Sequence, residues 1–229
     1  MREAIILAGG LGTRLRSAVP DLPKCMAPVA GRPFIAHVIE YLKEQGIEAF
    51  IFSLGYKHHV VTDYLNTAFT DLSYTSVVEN SPLGTGGAIV AASSMCVDDT
   101  VLVVNGDTLF KVDIPEMSAF HAGRKSAATL SLKPMRDFDR YGAVELGNDG
   151  SIVRFQEKRA YREGLINGGV YAVSIPDLLS ETLPESFSFE KEYLEPRAGK
   201  GSLSGWVENA YFIDIGIPED YNRAQIELM

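Results

Sequence analysis

Three glycines and an arginine follow directly on a short apolar run, Leu7-Ala8-Gly9-Gly10-Leu11-Gly12-Thr13-Arg14-Leu15. Glycine lets the backbone approach a phosphate closely and aim N–H groups at it. An arginine can bridge two phosphate oxygens at once. The run therefore reads as a phosphate cradle, with the backbone from Leu7, Ala8, Gly9 and Gly10 through Gly12 and Thr13 against a nucleotide and Arg14 on its phosphates. Two better-known loops do not fit. A dinucleotide fingerprint needs a glycine where Leu15 stands, and a Walker A loop needs Lys-Ser/Thr where Thr13-Arg14 stands. A plain strand-to-helix turn competes, but a turn needs one positive-φ residue rather than three glycines and an arginine.

Further along, Lys24 lies between Pro23 and Cys25-Met26-Ala27-Pro28. Flanking prolines would hold it in a fixed extended segment. Taken alone it is an ordinary surface lysine; after the glycine run it is a second phosphate clamp. Its charge would lower the pKa of the neighbouring Cys25 thiol and leave a reactive group at the pocket mouth. Asp107 stands at the tip of the most apolar run of the chain, in Asn105-Gly106-Asp107, where open α/β sheets bind ligands. Asp214 ends another apolar run, and Gly216 and Pro218 force a turn after it. Either aspartate alone can be a turn or cap residue. As a pair, two hard carboxylates suit Mg²⁺, which takes one or two protein carboxylates beside substrate phosphates. Glu157-Lys158 offers both charge signs after a strand, or an exposed ion-pair patch with Lys133 or Arg154. Asn167-Gly168-Gly169 reads at least as a turn before a strand. His37, His58, His59 and His121 show no metal-ligand spacing and read as helix residues, and Trp206 reads as packed in or near an interface rather than in a substrate pocket.

These residues need elements to hold them. Glu3–Leu7 reads as a buried strand. Residues 33–45 carry apolar side chains at helical spacing, with Pro33 at the start and Gly46 past the end. Strands are expected at 49–54, 74–78 and 100–104, and helices at 57–66 and 86–95. This alternation predicts parallel pairing with helices on both faces. After residue 126 the pattern turns β-rich: 127–132, 141–146, 152–156 and 168–173, with Asn148-Asp149-Gly150 as a hairpin turn. A helix is expected at 189–198, a closing strand pair at 203–207 and 211–215, and a terminal helix at 218–228. The expected architecture is one α/β domain over residues 1–229, a three-layer Rossmann-like fold with a central mixed, mostly parallel sheet. Residues 1–126 form its nucleotide-binding half and 127–229 its sugar-phosphate half.

The glycine run followed by Leu22-Pro23-Lys24 resembles the signature of the sugar-1-phosphate nucleotidyltransferases, and further motifs follow in that family's order over nearly the whole chain. Leu83-Gly84-Thr85-Gly86-Gly87-Ala88 is similar to its base-binding loop, which brings Gly84, Thr85 and Gly87 to the nucleotide. Asn105-Gly106-Asp107 and Phe212-Ile213-Asp214-Ile215-Gly216 resemble its metal-binding turns. Tyr141-Gly142, Glu157-Lys158 and Asn167-Gly168-Gly169 resemble its sugar-phosphate elements. The resemblance implies that Gly142 and Gly168 line the sugar-phosphate site, Lys158 holds the sugar phosphate, and Glu157 and Asn167 take sugar hydroxyls. Cys25 departs from the pattern, which has a non-thiol residue there. The implied chemistry is Mg²⁺-dependent transfer of a nucleotidyl group to a sugar 1-phosphate, with Arg14, Lys24, Asp107 and Lys158 as catalytic groups. Within the family, the runs 83–89, 140–144, 165–171 and 187–192 are similar to the guanylyltransferases of D-glycero-α-D-manno-heptose 1-phosphate, which implies GTP as donor and GDP-heptose for surface polysaccharide as product. The last run puts Glu190 at a helix start, where it would accept two sugar hydroxyls or simply favour the helix dipole. Open alternatives are a uridylyl-, thymidylyl- or mannose-1-phosphate guanylyltransferase, a non-catalytic nucleotide-sugar sensor, and a glycosyltransferase. The last would carry Asp-x-Asp, and Asn105 stands at its first aspartate.

Bulk properties bound the partners. The 229 residues carry a net charge of -9, with 46% hydrophobic and 22% charged residues. Such a chain is an ordinary globular one. Its field repels nucleic acid and anionic membranes, so phosphate substrates need locally placed cations. Two distant cysteines form neither a metal site nor a disulfide framework, and no segment reaches membrane-spanning length, which points to the cytoplasm. The oligomeric state is left open, a homo-oligomer included.

Overall fold

The computed structural model describes residues 1–10, 12, 15 and 18–229. The strands are β1 (Glu3–Ala8), β2 (Pro28–Val29), β3 (Arg32–Pro33), β4 (Ala49–Leu54), β5 (Ser73–Val78), β6 (Thr100–Asn105), β7 (Thr108–Phe110), β8 (Ala128–Phe138), β9 (Ala143–Leu146), β10 (Ile152–Phe155), β11 (Tyr161–Ser174), β12 (Leu203–Val207) and β13 (Phe212–Asp214). The helices are α1 (Phe34–Glu44), α2 (His58–Ala68), α3 (Gly84–Ser93), α4 (Ile114–Arg124), α5 (Ile175–Leu179) and α6 (Pro218–Glu227).

One sheet runs β10-β9-β11-β6-β1-β4-β5, and β8 joins it by pairing with β11 and β12. β1 is parallel to both β4 and β6, and β4 is parallel to β5. β11 is antiparallel to β6, β8 and β9. β1 is buried on both faces, as a central strand between helix layers must be. Its Ala4, Ile6 and Ala8 meet the side chains of α1 and α2, while Ile5 packs in a second core with Ile89 of α3 and Tyr171 of β11. The fold is thus three-layered α/β with a mixed sheet shared by both halves of the chain.

Several expectations are met closely. The 49–54 strand matches β4, α1 starts after Pro33, and the turn at Asp149-Gly150 joins antiparallel β9 and β10 with Gly150 at φ 80°. Other expectations are corrected. The 203–207 and 211–215 segments do not pair with each other. β12 lies parallel to β8, where Leu203 and Ser204 are buried, and β13 pairs antiparallel with β7, where Phe212 meets Phe110 edge-on at 5.6 Å. The 189–198 segment is helical as expected, though not as an α-helix. It is a π-helical turn, Phe189–Leu194, followed by a 3-10 turn, Glu195–Arg197. The wider turn lets Phe189 and Tyr193 stack at 5.1 Å with both rings buried. α3 begins at Gly84, two residues earlier than expected.

The glycines that open α3 have a packing cause. The segment before the π-helical turn crosses the start of α3, with Gly86 N donating to Phe187 O at 2.9 Å and Phe187 N to Leu83 O at 2.9 Å. A Cβ on Gly86 would lie 2.0 Å from the Phe187 ring, and one on Gly87 would lie 2.3 Å from Glu185 O. In a free helix Gly→Ala stabilises by about 1 kcal/mol. Here Gly87→Ala is expected to destabilise the fold by about 1–3 kcal/mol, the scale of overpacking. Urea unfolding monitored by far-UV circular dichroism checks this; a rise in midpoint would contradict it.

Candidate active site

Two turns, one mid-chain and one near the C-terminus, meet through the β7–β13 ribbon. The register sets Asp214 opposite Thr108, which places Asp107 beside Asp214. Ile215 N donates to Asp107 O at 3.1 Å, and Gly216 N holds Asp214 Oδ1 at 2.8 Å. Lys24 closes the cluster. Its Nζ donates to Asp107 Oδ2 at 2.6 Å and to Asp214 Oδ1 at 3.2 Å. The lysine side chain is only 11% exposed, against 34% and 22% for the two aspartates. The surface reading of Lys24 is therefore corrected, and so is the extended segment. Pro23 itself is extended, but Met26 N bonds Pro23 O at 2.8 Å and Ala27 N bonds Lys24 O at 3.1 Å, making a 3-10 turn.

The cluster opens on two adjoining cavities. The smaller, of about 180 Å³, is lined by Leu7, Ala8, Gly10, Gly12, Gly106 and Gly216 around Lys24 and Asp107. The larger, of about 820 Å³, runs from Asp107 and Gly9 past Gly55 and Glu79 to Gly84 and Thr85. The predicted nucleotide residues Leu7, Ala8, Gly9, Gly10, Gly12, Gly84, Thr85 and Gly106 all line one or both. Gly12, at φ 58°, must be glycine because a Cβ would lie 2.9 Å from Lys24 Cβ. Gly87 is instead fixed by its contact with Glu185. Thr13 and Arg14 lie outside the described residues.

Sequence reasoning missed Glu79. Its carboxylate lines the larger cleft, accepts from Ser53 Oγ at 3.1 Å and Leu83 N at 3.0 Å, and stands where a Cβ on Gly9 would meet it at 2.6 Å. The signal available was an acid four residues before the Leu83-Gly84 start of the second glycine run.

The second half of the chain contributes unevenly. Asn167 Nδ2 donates to Tyr171 Oη at 3.0 Å, and Gly169 N donates to Asn167 Oδ1 at 3.0 Å. Gly168 is buried, and a Cβ there would lie 2.3 Å from the Phe110 ring. Glu190 accepts from Thr85 Oγ1 at 2.8 Å, Ser188 Oγ at 3.1 Å and Tyr171 Oη at 3.2 Å. Gly142 faces Gln156 O so closely that a Cβ would lie 2.3 Å from it. The neighbouring Tyr141 hydroxyl is pushed up by burial, then by the charge of Asp214, so this loop borders the second carboxylate. Glu157 and Lys158 are exposed after β10, with Glu157 beside a separate cavity of about 270 Å³. The ion-pair patch is corrected: Lys133 Nζ donates to Asn209 Oδ1 and Ala210 O, and Arg154 pairs with Glu145.

Two aspartates that both approach one ammonium can also share one divalent cation, so the donor set fits a hard metal ion completed by substrate oxygens. Among the described residues no group of three or more His, Cys, Asp and Glu side chains is placed to hold a metal.

A nucleotidyl transferase model matches residues 3–229. The chain belongs to the nucleotidyl transferase family. This nucleotidyl transferase is 46% identical over 226 residues to a D-glycero-alpha-D-manno-heptose 1-phosphate guanylyltransferase of Aneurinibacillus thermoaerophilus, covering 99% of this chain and 98% of that one. It is 42% identical over 219 residues to the protein of the same name from Campylobacter jejuni, covering 96% of each. Among solved structures, HddC from Yersinia pseudotuberculosis complexed with GMP-PN is 36% identical, covers all of both chains and superposes with a TM-score of 0.89. No helix among the described residues of this transferase is long and apolar enough to cross a membrane.

Cys25 does line the smaller cavity, as expected, but its activation is corrected. Its side chain is buried at 3% exposure and its thiol is pushed up to about 12, first by burial and then by the charge of Asp107. Lys24 acts in the opposite direction and is outweighed. Cys25 in the native protein is expected to resist iodoacetamide at neutral pH and to label only on unfolding. Peptide mass spectrometry after timed labelling checks this, and prompt stoichiometric modification of Cys25 would contradict it.

Proposed function

We propose that this transferase condenses GTP with D-glycero-α-D-manno-heptose 1-phosphate to give GDP-heptose and pyrophosphate. The observation that carries the reaction class is the Lys24–Asp107–Asp214 cluster at the mouth of a glycine-lined cleft. The relatives' names support the sugar and the base. The cytoplasm, where GTP is available and free Cys25 and Cys96 stay reduced, is the proposed compartment.

The proposed step is an in-line displacement. A sugar-phosphate oxygen bonds the α-phosphorus while the bond from that phosphorus to the β-bridging oxygen breaks, and pyrophosphate leaves with that electron pair. The nucleophile is already an anion at neutral pH, so no general base is required. Catalysis is then positioning and charge stabilisation. The backbone of Gly9, Gly10 and Gly12, with Arg14, holds the departing phosphates. Lys24 faces the α-phosphate, and Lys158 brings in the sugar phosphate. Asn167 and Glu157 orient the sugar, with Gly142 and Glu190 bordering it. Asp107 and Asp214 would hold Mg²⁺, which supplies charge neutralisation between two anionic substrates.

Glu79 supports guanine. A carboxylate only accepts, and guanine offers adjacent N1–H and N2–H donors. Among the described residues each Glu79 oxygen accepts one protein hydrogen bond, and a carboxylate oxygen has a second lone pair to offer. Uracil and thymine offer one N–H between two carbonyls, which a carboxylate repels.

Pyrophosphate release, assayed over a matrix of nucleoside triphosphates and sugar 1-phosphates, is expected to be fastest with GTP and the manno-configured heptose. A matrix led by UTP or dTTP would overturn the guanylyl assignment. Asp107→Ala is expected to abolish magnesium-dependent turnover while leaving the fold intact, and Lys24→Ala to cut kcat by ~10² or more, the scale of losing a preorganised charge. Glu79→Gln is expected to narrow the preference for GTP over UTP by about tenfold, the scale of a hydrogen bond to a charged group.

A further inference from the structure

One hydrogen-bonded chain runs from the α3 loop to the residue that the proposed function sets against the sugar. Glu190 is its anchor. An ionised carboxylate can only accept, so every hydroxyl that touches it must donate. Thr85 Oγ1 donates to Glu190 Oε2 and accepts from Phe189 N at 2.8 Å. Tyr171 Oη, with one hydrogen, gives it to Glu190 Oε1 at 3.2 Å. Its oxygen is then left to accept, and Asn167 Nδ2 donates to it at 3.0 Å. The other end of that amide is held too, since Gly169 N donates to Asn167 Oδ1. Turning the amide over would set its NH₂ against the Gly169 N–H and its oxygen against a hydroxyl whose hydrogen is committed. The direction of every bond is thus decided by one charge.

Tyr171 is the link between them. It is 1% exposed, and its ring meets Phe189 edge-on at 5.5 Å. Burial first, then the charge of Glu190, pushes its hydroxyl well above the usual tyrosine range, so it stays a neutral donor. We propose that Tyr171 is a positioning residue, which carries the directional constraint of Glu190 to Asn167 and so sets the amide that meets the sugar hydroxyls. This rests on the reading that Asn167 contacts the sugar.

The test is a double-mutant cycle on the substrate pair that the wild type turns over fastest. Tyr171→Phe and Glu190→Gln are each expected to raise KM for the sugar 1-phosphate about tenfold, the scale of one misdirected hydrogen bond, with KM for the triphosphate within about twofold. The double variant is expected to be no worse than either single one, because both cut the same chain. Tyr171→Phe in an Asn167→Ala background is expected to add nothing. Additive effects, an unchanged sugar KM, or an equal rise in both KM values would overturn the proposal. A second measurement is independent of turnover: the side-chain amide signals of Asn167 in the ligand-free protein, by nitrogen-15 NMR. They are expected to shift and to exchange faster with water in Tyr171→Phe, and unchanged signals would also overturn the proposal. A wild type that turns over no pair would sink the functional reading alone, and the amide signals would still decide the chain.

Discussion

A single ammonium group holds two carboxylates together: Lys24 Nζ lies between Asp107 and Asp214, which are 83 and 190 residues away from it in sequence. Two half-buried carboxylates side by side repel each other and need a shared cation. The protein supplies its own. The surrounding geometry serves this contact: the β7–β13 ribbon brings the aspartates level, Gly216 N fixes one of them, and Gly12, lacking a Cβ, leaves room for the Lys24 side chain. One ammonium between two carboxylates still leaves a negative cluster, so a chain of net charge -9 needs a further cation and the glycine amides to receive phosphates. Asp107 and Asp214 would hold a metal ion, whose charge would supply the neutralisation and leave Lys24 to face phosphate.

The second constraint is how the two halves of the chain are joined. The segment through Phe187 lies across the start of α3, close enough that Gly84 and Gly86 tolerate no side chain. Glu190 then ties Thr85 on α3 to Tyr171 on β11. A loop that borders the nucleotide cleft and a strand that borders the sugar side therefore share one carboxylate.

Much of this was legible in the sequence. The apolar runs at β1, β4 and β6, each ending where the cleft opens, announced the parallel core, and Asp107 and Asp214 were visible as carboxylates at strand ends. α4 was overlooked despite a legible start, Asp113 capping Glu116 N at 2.9 Å with Pro115 in the first turn. The pairing of β12 with β8 was not legible, since a parallel partner 75 residues back leaves no local turn signal. Gly87 reads in sequence as a glycine of ligand approach, and in the structure it lies, like Gly86, where the segment through Glu185 and Phe187 crosses. Local sequence cannot separate those two causes, because both require only the absence of a Cβ. Cys25 failed for a related reason: a neighbouring lysine is visible in sequence, whereas burial, which dominates the thiol, is not.

Asp107 and Asp214 are proposed as the metal-holding centre of the reaction, with Lys24 bridging them until substrate arrives. A crystal structure with Mn²⁺ and a non-hydrolysable GTP analogue, phased for anomalous scattering, tests it most directly. The account predicts an anomalous peak within bonding distance of an oxygen from each aspartate, with Lys24 Nζ withdrawn from at least one of them toward the α-phosphate. A peak on phosphate oxygens alone, with Lys24 still bridging both carboxylates, would contradict it.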